Sequence, residues 1–194
     1  MDNNIKSFFN EAAKWGLILG VMMGVSRVFE YRLMLSGSVT QYSLLTIEWV
    51  VVAVIYALLL YRAVKSRAVA IYPSVGFSFG RSVNYAVVIS MFAAVIVSLA
   101  SFTYINSVVG GYDLYIGQLV TSVTSVIEEA KVESAVMDMY AETFAELKNT
   151  EVATPTIFDT LLSTLSMYIL AGTFFGVIVS FFVKRYIKKS FNEI

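Results

Sequence analysis

The stretch Ser82–Tyr112, SVNYAVVISMFAAVIVSLASFTYINSVVGGY, carries no charged residue. A helix needs about 20 apolar residues to cross a hydrocarbon core of about 30 Å. Val83–Val109 therefore reads as a membrane-spanning helix with length to spare, tilted or projecting beyond the lipid. Gly110-Gly111 breaks it.

Three more apolar runs flank this one. Phe158–Val183 is uncharged from Thr160 onward and is followed by Lys184, Arg185, Lys188 and Lys189. Tyr42–Tyr61 is interrupted only by Glu48, whereas Trp15–Leu35 contains Arg27, Glu30 and Arg32. Lys6 and Lys14 before an apolar run, with small residues at Gly24-Val25-Ser26, resemble a cleavable leader. The apolar pattern continues through Leu33-Met34-Leu35, so this segment is expected to be retained as a span. The fold class is thus all-α: an integral membrane four-helix bundle, one domain over residues 1–194. Spans are expected at 15–35, 42–61, 83–109 and 158–183, with an extracytoplasmic amphipathic helical segment, 110–155, between the last two.

Composition supports this class. Hydrophobic residues make up 58% of the 194, against about 45–50% in a soluble domain. The chain has no Cys and no His, which excludes disulfides, thiol nucleophiles, Cys-ligated zinc and imidazole acid–base chemistry. No cofactor, metal site or catalytic residue is expected, and an enzyme is disfavoured.

Charge sets an expected orientation. Lys and Arg collect on the cytoplasmic side of a membrane protein. Lys6, Lys14, Arg62, Lys65, Arg67, Arg81, Lys184, Arg185, Lys188 and Lys189 all fall on one side of a four-crossing chain. The other side receives the uncharged turn Ser36–Gln41 and the segment Gly110–Pro155, whose eight acidic and two basic residues sum to −6 (2 − 8). Both termini are therefore expected in the cytoplasm, with Trp15, Tyr61, Tyr85 and Tyr186 near the inner interface. Tyr31, Tyr42, Tyr104 and Tyr112 fall near the outer one.

Within 110–155, Leu119, Val123, Val126, Ala130, Met137, Tyr140, Phe144 and Leu147 recur at helical spacing among carboxylates. They predict one amphipathic helix ending near Asn149, either a lid packed on the bundle or on a dimer mate, or a docking surface for a basic partner. Its acidity disfavours anionic lipid and nucleic acid as partners. Thr156 and Asp159 are placed to cap the fourth span, behind Pro155. Between the second and third spans, Tyr72-Pro73 is expected to end a helix. Gly76-Phe77-Ser78-Phe79-Gly80 is expected to lie along the membrane.

Small residues allow close helix approach in lipid. Gly16, Gly20 and Gly24 form one stripe; Ala86, Ser90, Ala94 and Ser98 a second; Gly172, Gly176 and Ser180 a third. Such stripes serve intramolecular packing or self-association. Charges inside a bilayer need partners. Arg27 lies 13 residues beyond Lys14, and Glu48 lies 13 before Tyr61, so both sit about 20 Å from the same side. An interhelical Arg27–Glu48 ion pair is expected, with Glu30 sharing the charge and Arg32 free to snorkel. The same groups could instead line an ion or proton path.

Lys14-Trp15-Gly16-Leu17-Ile18-Leu19-Gly20, Phe77-Ser78-Phe79-Gly80, Tyr104-Ile105-Asn106 and the acidic segment before the last span together carry a resemblance. The chain resembles the bacterial membrane proteins grouped as domain of unknown function 4199. Members often carry a Pro soon after the Asn; here Ser107-Val108-Val109-Gly110 follows. The resemblance implies a four-span bacterial inner-membrane protein and brings no activity or cofactor. The expected function is a non-enzymatic structural or accessory subunit of a membrane complex, binding a protein partner or a second copy. The alternative is a small oligomeric transporter or channel using Arg27, Glu30 and Glu48.

Overall fold

The computed structural model describes residues 3–75, 78–131, 140, 143 and 154–191. The described residues are helical, with no strand among them. Helix α1 is Asn3–Met34, α2 Val39–Val75, α3 Phe79–Thr103, α4 Tyr112–Glu129 and α5 Ile157–Phe191. Four are long and apolar enough to cross a bilayer: Ser7–Met34, Val39–Ile71, Phe79–Val109 and Ile157–Lys188. Each overruns its apolar run, because a helix keeps its hydrogen bonds after its side chains turn polar. At 1.5 Å per residue, α1, α2 and α5 measure about 50 Å, well beyond the hydrocarbon.

Two sequence expectations about helix ends are corrected. Helix α2 continues through Tyr72-Pro73 to Val75. A proline in a last turn removes a single backbone bond, and its fixed φ suits a helix. The expectation for Gly76 and Phe77 lies outside the described residues. Helix α4 ends at Glu129, and Lys131 takes a left-handed φ of 51°. Leu119, Val123 and Val126 thus lie on α4, but the single helix to Asn149 does not form. Met137, Phe144 and Leu147 lie outside the described residues.

Helix α3 is the centre of the bundle. Helices α1 and α5 pack along it, and α2 lies against α1 and α5. Its Ala86, Ser90, Ala93, Ala94, Val97 and Ser98 are buried. A Cβ on Gly16 would lie 2.9 Å from the Ile89 carbonyl oxygen, and one on Gly20 would lie 3.1 Å from Ala93 Cα. One on Gly172 would lie 3.2 Å from Val87 Cα. Gly176 faces Ala86, and Gly24 faces Ala100 at a more ordinary 3.4 Å. Ser180 is fully buried. Across the middle, the Tyr56 hydroxyl of α2 and Ser90 Oγ share a 2.6 Å hydrogen bond, and Ser90 Oγ donates to the Ala86 carbonyl at 2.8 Å.

Helix α3 runs into a π-helical segment, Tyr104–Val109, closed by Gly110 and Gly111 at φ 99° and 125°. Only glycine adopts such values freely, and the Gly111 N–H donates back to the Ile105 carbonyl at 2.9 Å. The chain then reverses, so that α4 packs on the π segment, α1 and α2 of its own bundle. Glu129 at the far end of α4 accepts a hydrogen bond from the Val39 N–H at 3.1 Å. That N–H opens α2, where a helix favours a carboxylate.

The start of α5 is capped as the sequence implied. Thr156 Oγ1 accepts from the Asp159 N–H at 3.2 Å, and Asp159 Oδ2 accepts from the Thr156 N–H at 2.9 Å. The two satisfy donors that a helix end otherwise leaves open. Thr156→Ala is expected to destabilise this end by about 1 kcal/mol. Faster amide hydrogen exchange confined to the first turn of α5 would be the readout, and unchanged exchange there would contradict it.

Candidate functional site

The charged layer sits between α1 and α2. Ser26, Arg27 and Glu30 come from α1; Glu48 and Trp49 come from α2. The ion pair that forms is Arg27 Nη1 to Glu30 Oε2, 2.6 Å apart within one helix. The links across the helices are different ones. Ser26 Oγ donates to Glu48 Oε1, and Trp49 Nε1 donates to Glu30 Oε1 at 3.3 Å. The expected Arg27–Glu48 pair is therefore replaced by Arg27–Glu30 and Ser26–Glu48.

Helix rotation explains the exchange. Each residue turns a helix by about 100°, so Ser26 and Glu30 share a face while Arg27 points about 100° away from Ser26. Equal depth brought the two helices' polar residues into one layer; azimuth decided which of them meet. Arg27 turns instead towards the Tyr31 ring, its guanidinium carbon 5.0 Å from the centroid. That distance is within cation–π range.

Tyr31 belongs to a second, smaller core. Its ring stacks on Tyr104 at 5.5 Å with 12° between planes and meets Tyr115 edge-on at 5.5 Å. All three rings are buried. Tyr31 and Tyr104, expected near the outer interface, face each other because the π segment carries Tyr104 onto α1, and α4 covers both. Burial against α1 and the π segment pushes the Tyr115 phenol up to about 12, and Tyr31 adds to that rise while Arg27 opposes it. Tyr85 is likewise buried.

Glu48 has a distinct setting. It lines an outward-opening groove of about 300 Å³ with Val21, Met22, Met23, Val25, Ser26, Phe29, Val52 and Ile55. Its partner is a hydroxyl, and neither ion pair among the described residues includes it. Arg27, Glu30 and Glu48 together carry one positive and two negative formal charges. Among the described residues no three potential ligands converge on a metal site.

A second polar link lay outside the sequence reading. Arg67 of α2 bonds Glu11 Oε2 at 2.8 Å and Ser7 Oγ at 3.1 Å on α1. Its position among the basic residues marked it only as an orientation signal. Ser26 and Trp49 were also missed, although each neighbours a charged residue in the chain. Neither a curated protein nor a solved structure matches this chain. The profile described as protein of unknown function (DUF4199) matches residues 14–185, and the chain belongs to that family.

Proposed function

We infer that this protein is a non-enzymatic subunit of a membrane complex, holding a partner helix in the groove between α1 and α2. The observation that carries this reading is Glu48. It is a carboxylate within a candidate span, bonded to a hydroxyl and facing an apolar groove that opens away from the bundle. An ionisable group at membrane depth costs roughly 2.5–3.5 kcal/mol on insertion scales. A polar or cationic side chain from a neighbouring helix would offset that cost. Exposed Val25, Met22 and Phe29 supply the surrounding apolar contact. The absence of His and Cys supports a non-catalytic role.

The protein is placed in the bacterial inner membrane with both termini cytoplasmic. The support is the gathering of ten basic residues on one side and the −6 balance (2 − 8) of 110–155 on the other. In that orientation α4 is the extracytoplasmic lid over the first two helices. A second reading follows from the same residue: Glu48 would serve as the polar group of an ion or proton path in an oligomeric transporter.

The native chain lacks Cys, so a photo-reactive side chain or single Cys at Val25 reports on this groove alone. The expected adduct is to another membrane protein, and Glu48→Ala is expected to weaken its co-purification about tenfold while the bundle stays folded. Adducts only between copies of this chain, with proton uptake lost in Glu48→Gln proteoliposomes, would replace the subunit by the transporter. No adduct and no effect of Glu48→Ala would remove both.

A further inference from the structure

The far side of the bundle carries a different groove, between α2 and α5. It holds about 440 Å³ and opens outward. Val179 forms its floor, 3% exposed, and Leu58 and Phe182 form its walls, 57% and 55% exposed. Tyr61, Tyr186 and Arg185 line it as well. Lys65 Nζ stands 3.7 Å from the Tyr186 ring centre and 5.8 Å from that of Tyr61, which ties the ammonium to the same two rings.

The two helices run in the same direction here, each entering the groove apolar and leaving it basic. Seven residues separate Leu58 from Lys65, and seven separate Ile178 from Arg185. Each interval is about 10 Å of helix, so both cations stand about 10 Å beyond the deep part of the groove. Neither belongs to an ion pair among the described residues, and Glu11, at the same end, is engaged by Arg67.

We propose that this groove is a binding site for one anionic phospholipid, with an acyl chain along Leu58, Val179 and Phe182 and the phosphate between Lys65 and Arg185. Charge complementarity selects this occupant. A partner helix would fill the apolar part and leave both cations without an anion. A water-soluble phosphate would meet the cations and gain nothing from the apolar walls. An anionic lipid satisfies both halves, and basic sites between spanning helices are a recurrent way to hold such headgroups. Two cations close to one headgroup correspond to an anionic preference on the order of twentyfold. The site is separate from the Glu48 groove and does not depend on its occupant.

The experiment is native mass spectrometry of the full chain, delipidated in detergent and titrated with phosphatidylglycerol or phosphatidylethanolamine of the same acyl composition. The expected result is one phosphatidylglycerol retained about twentyfold more strongly than phosphatidylethanolamine. K65Q/R185Q is expected to bring the two lipids to parity. K184Q/K188Q, which removes two exposed charges outside the groove lining, is expected to keep the preference. Equal retention of both lipids by the native protein overturns the site, whatever the variants do. Equal loss of preference in both double variants also overturns it, because the charge would then act diffusely.

Discussion

Arg27→Met is expected to destabilise the protein by about 3 kcal/mol, the lower end of what breaking a buried ion pair costs. The Glu30 side chain is 13% exposed and the Arg27 side chain 43%, so the pair sits at the edge of the interior. Without the guanidinium, Glu30 keeps only the Trp49 indole as a donor among the described residues. The layer then holds two carboxylates and no cation, Glu30 and Glu48, within spans that disfavour charge. Removing both partners should be easier than removing one. Arg27→Met with Glu30→Gln is expected to recover at least about 1 kcal/mol of the loss, because no uncompensated charge remains at that position. Reversible unfolding in mixed micelles would measure both variants. A double variant as unstable as Arg27→Met would end this account of the layer. A charge swap gives a sharper discrimination. Arg27→Glu with Glu30→Arg keeps the contact within α1 and is expected to fold. Arg27→Glu with Glu48→Arg is expected to stay as unstable as Arg27→Glu alone, since the native Arg27 pairs along α1 rather than across to α2.

That second swap marks the boundary of what the sequence could reveal about this site. Counting 1.5 Å per residue put Arg27, Glu30 and Glu48 in one layer, and residues of that layer do meet. The count carries no information about rotation between helices, so Ser26 and Trp49 were invisible as the linking residues. The same contrast runs through the fold. Apolar runs located four helices but measured the membrane rather than the helix, and α2 extends past Pro73. The three small-residue stripes were legible as stripes. That Gly16 and Gly20 on one side and Gly172 and Gly176 on the other both meet α3 was not, because a stripe does not name its partner. Helical spacing of apolar residues persists past Ala130 in the chain. The backbone turns at Lys131, where a single left-handed residue outweighs a periodic pattern. The tyrosine core required the π segment, whose i→i+5 register has no signature in Tyr104–Val109.

Gly172→Leu is expected to be among the most damaging single changes in the apolar interior, at about 3 kcal/mol or more. Spanning helices have no hydrophobic drive to associate in lipid, so their attraction rests on close contact and hydrogen bonds. At Gly172 that contact is with Ser90 and the backbone of Val87. A Cβ added there would stand 2.8 Å from Ser90 Cβ and 3.2 Å from Val87 Cα. A backbone atom cannot rotate away, so any side chain here moves α5 as a body. Ser90 cannot give way freely either, since its hydroxyl is shared with Tyr56 and the Ala86 carbonyl. A wedge at Gly172 therefore loosens the α3–α5 contact and the Tyr56–Ser90 link to α2 together. The hydrogen bond alone is worth about 1 kcal/mol. The glycines form a graded series that tests this mechanism against a general intolerance of larger residues. Gly176→Ala meets Ala86 Cβ at 3.0 Å and is expected to cost less than Gly172→Ala. Gly24→Ala meets Ala100 Cβ at 3.4 Å, an ordinary contact, and is expected to be neutral or slightly stabilising through helix propensity. Unfolding in mixed micelles should rank the alanine variants Gly172, Gly176, Gly24 from most to least damaging. If Gly24→Ala proved as harmful as Gly172→Ala, close approach to α3 would not be what these glycines provide.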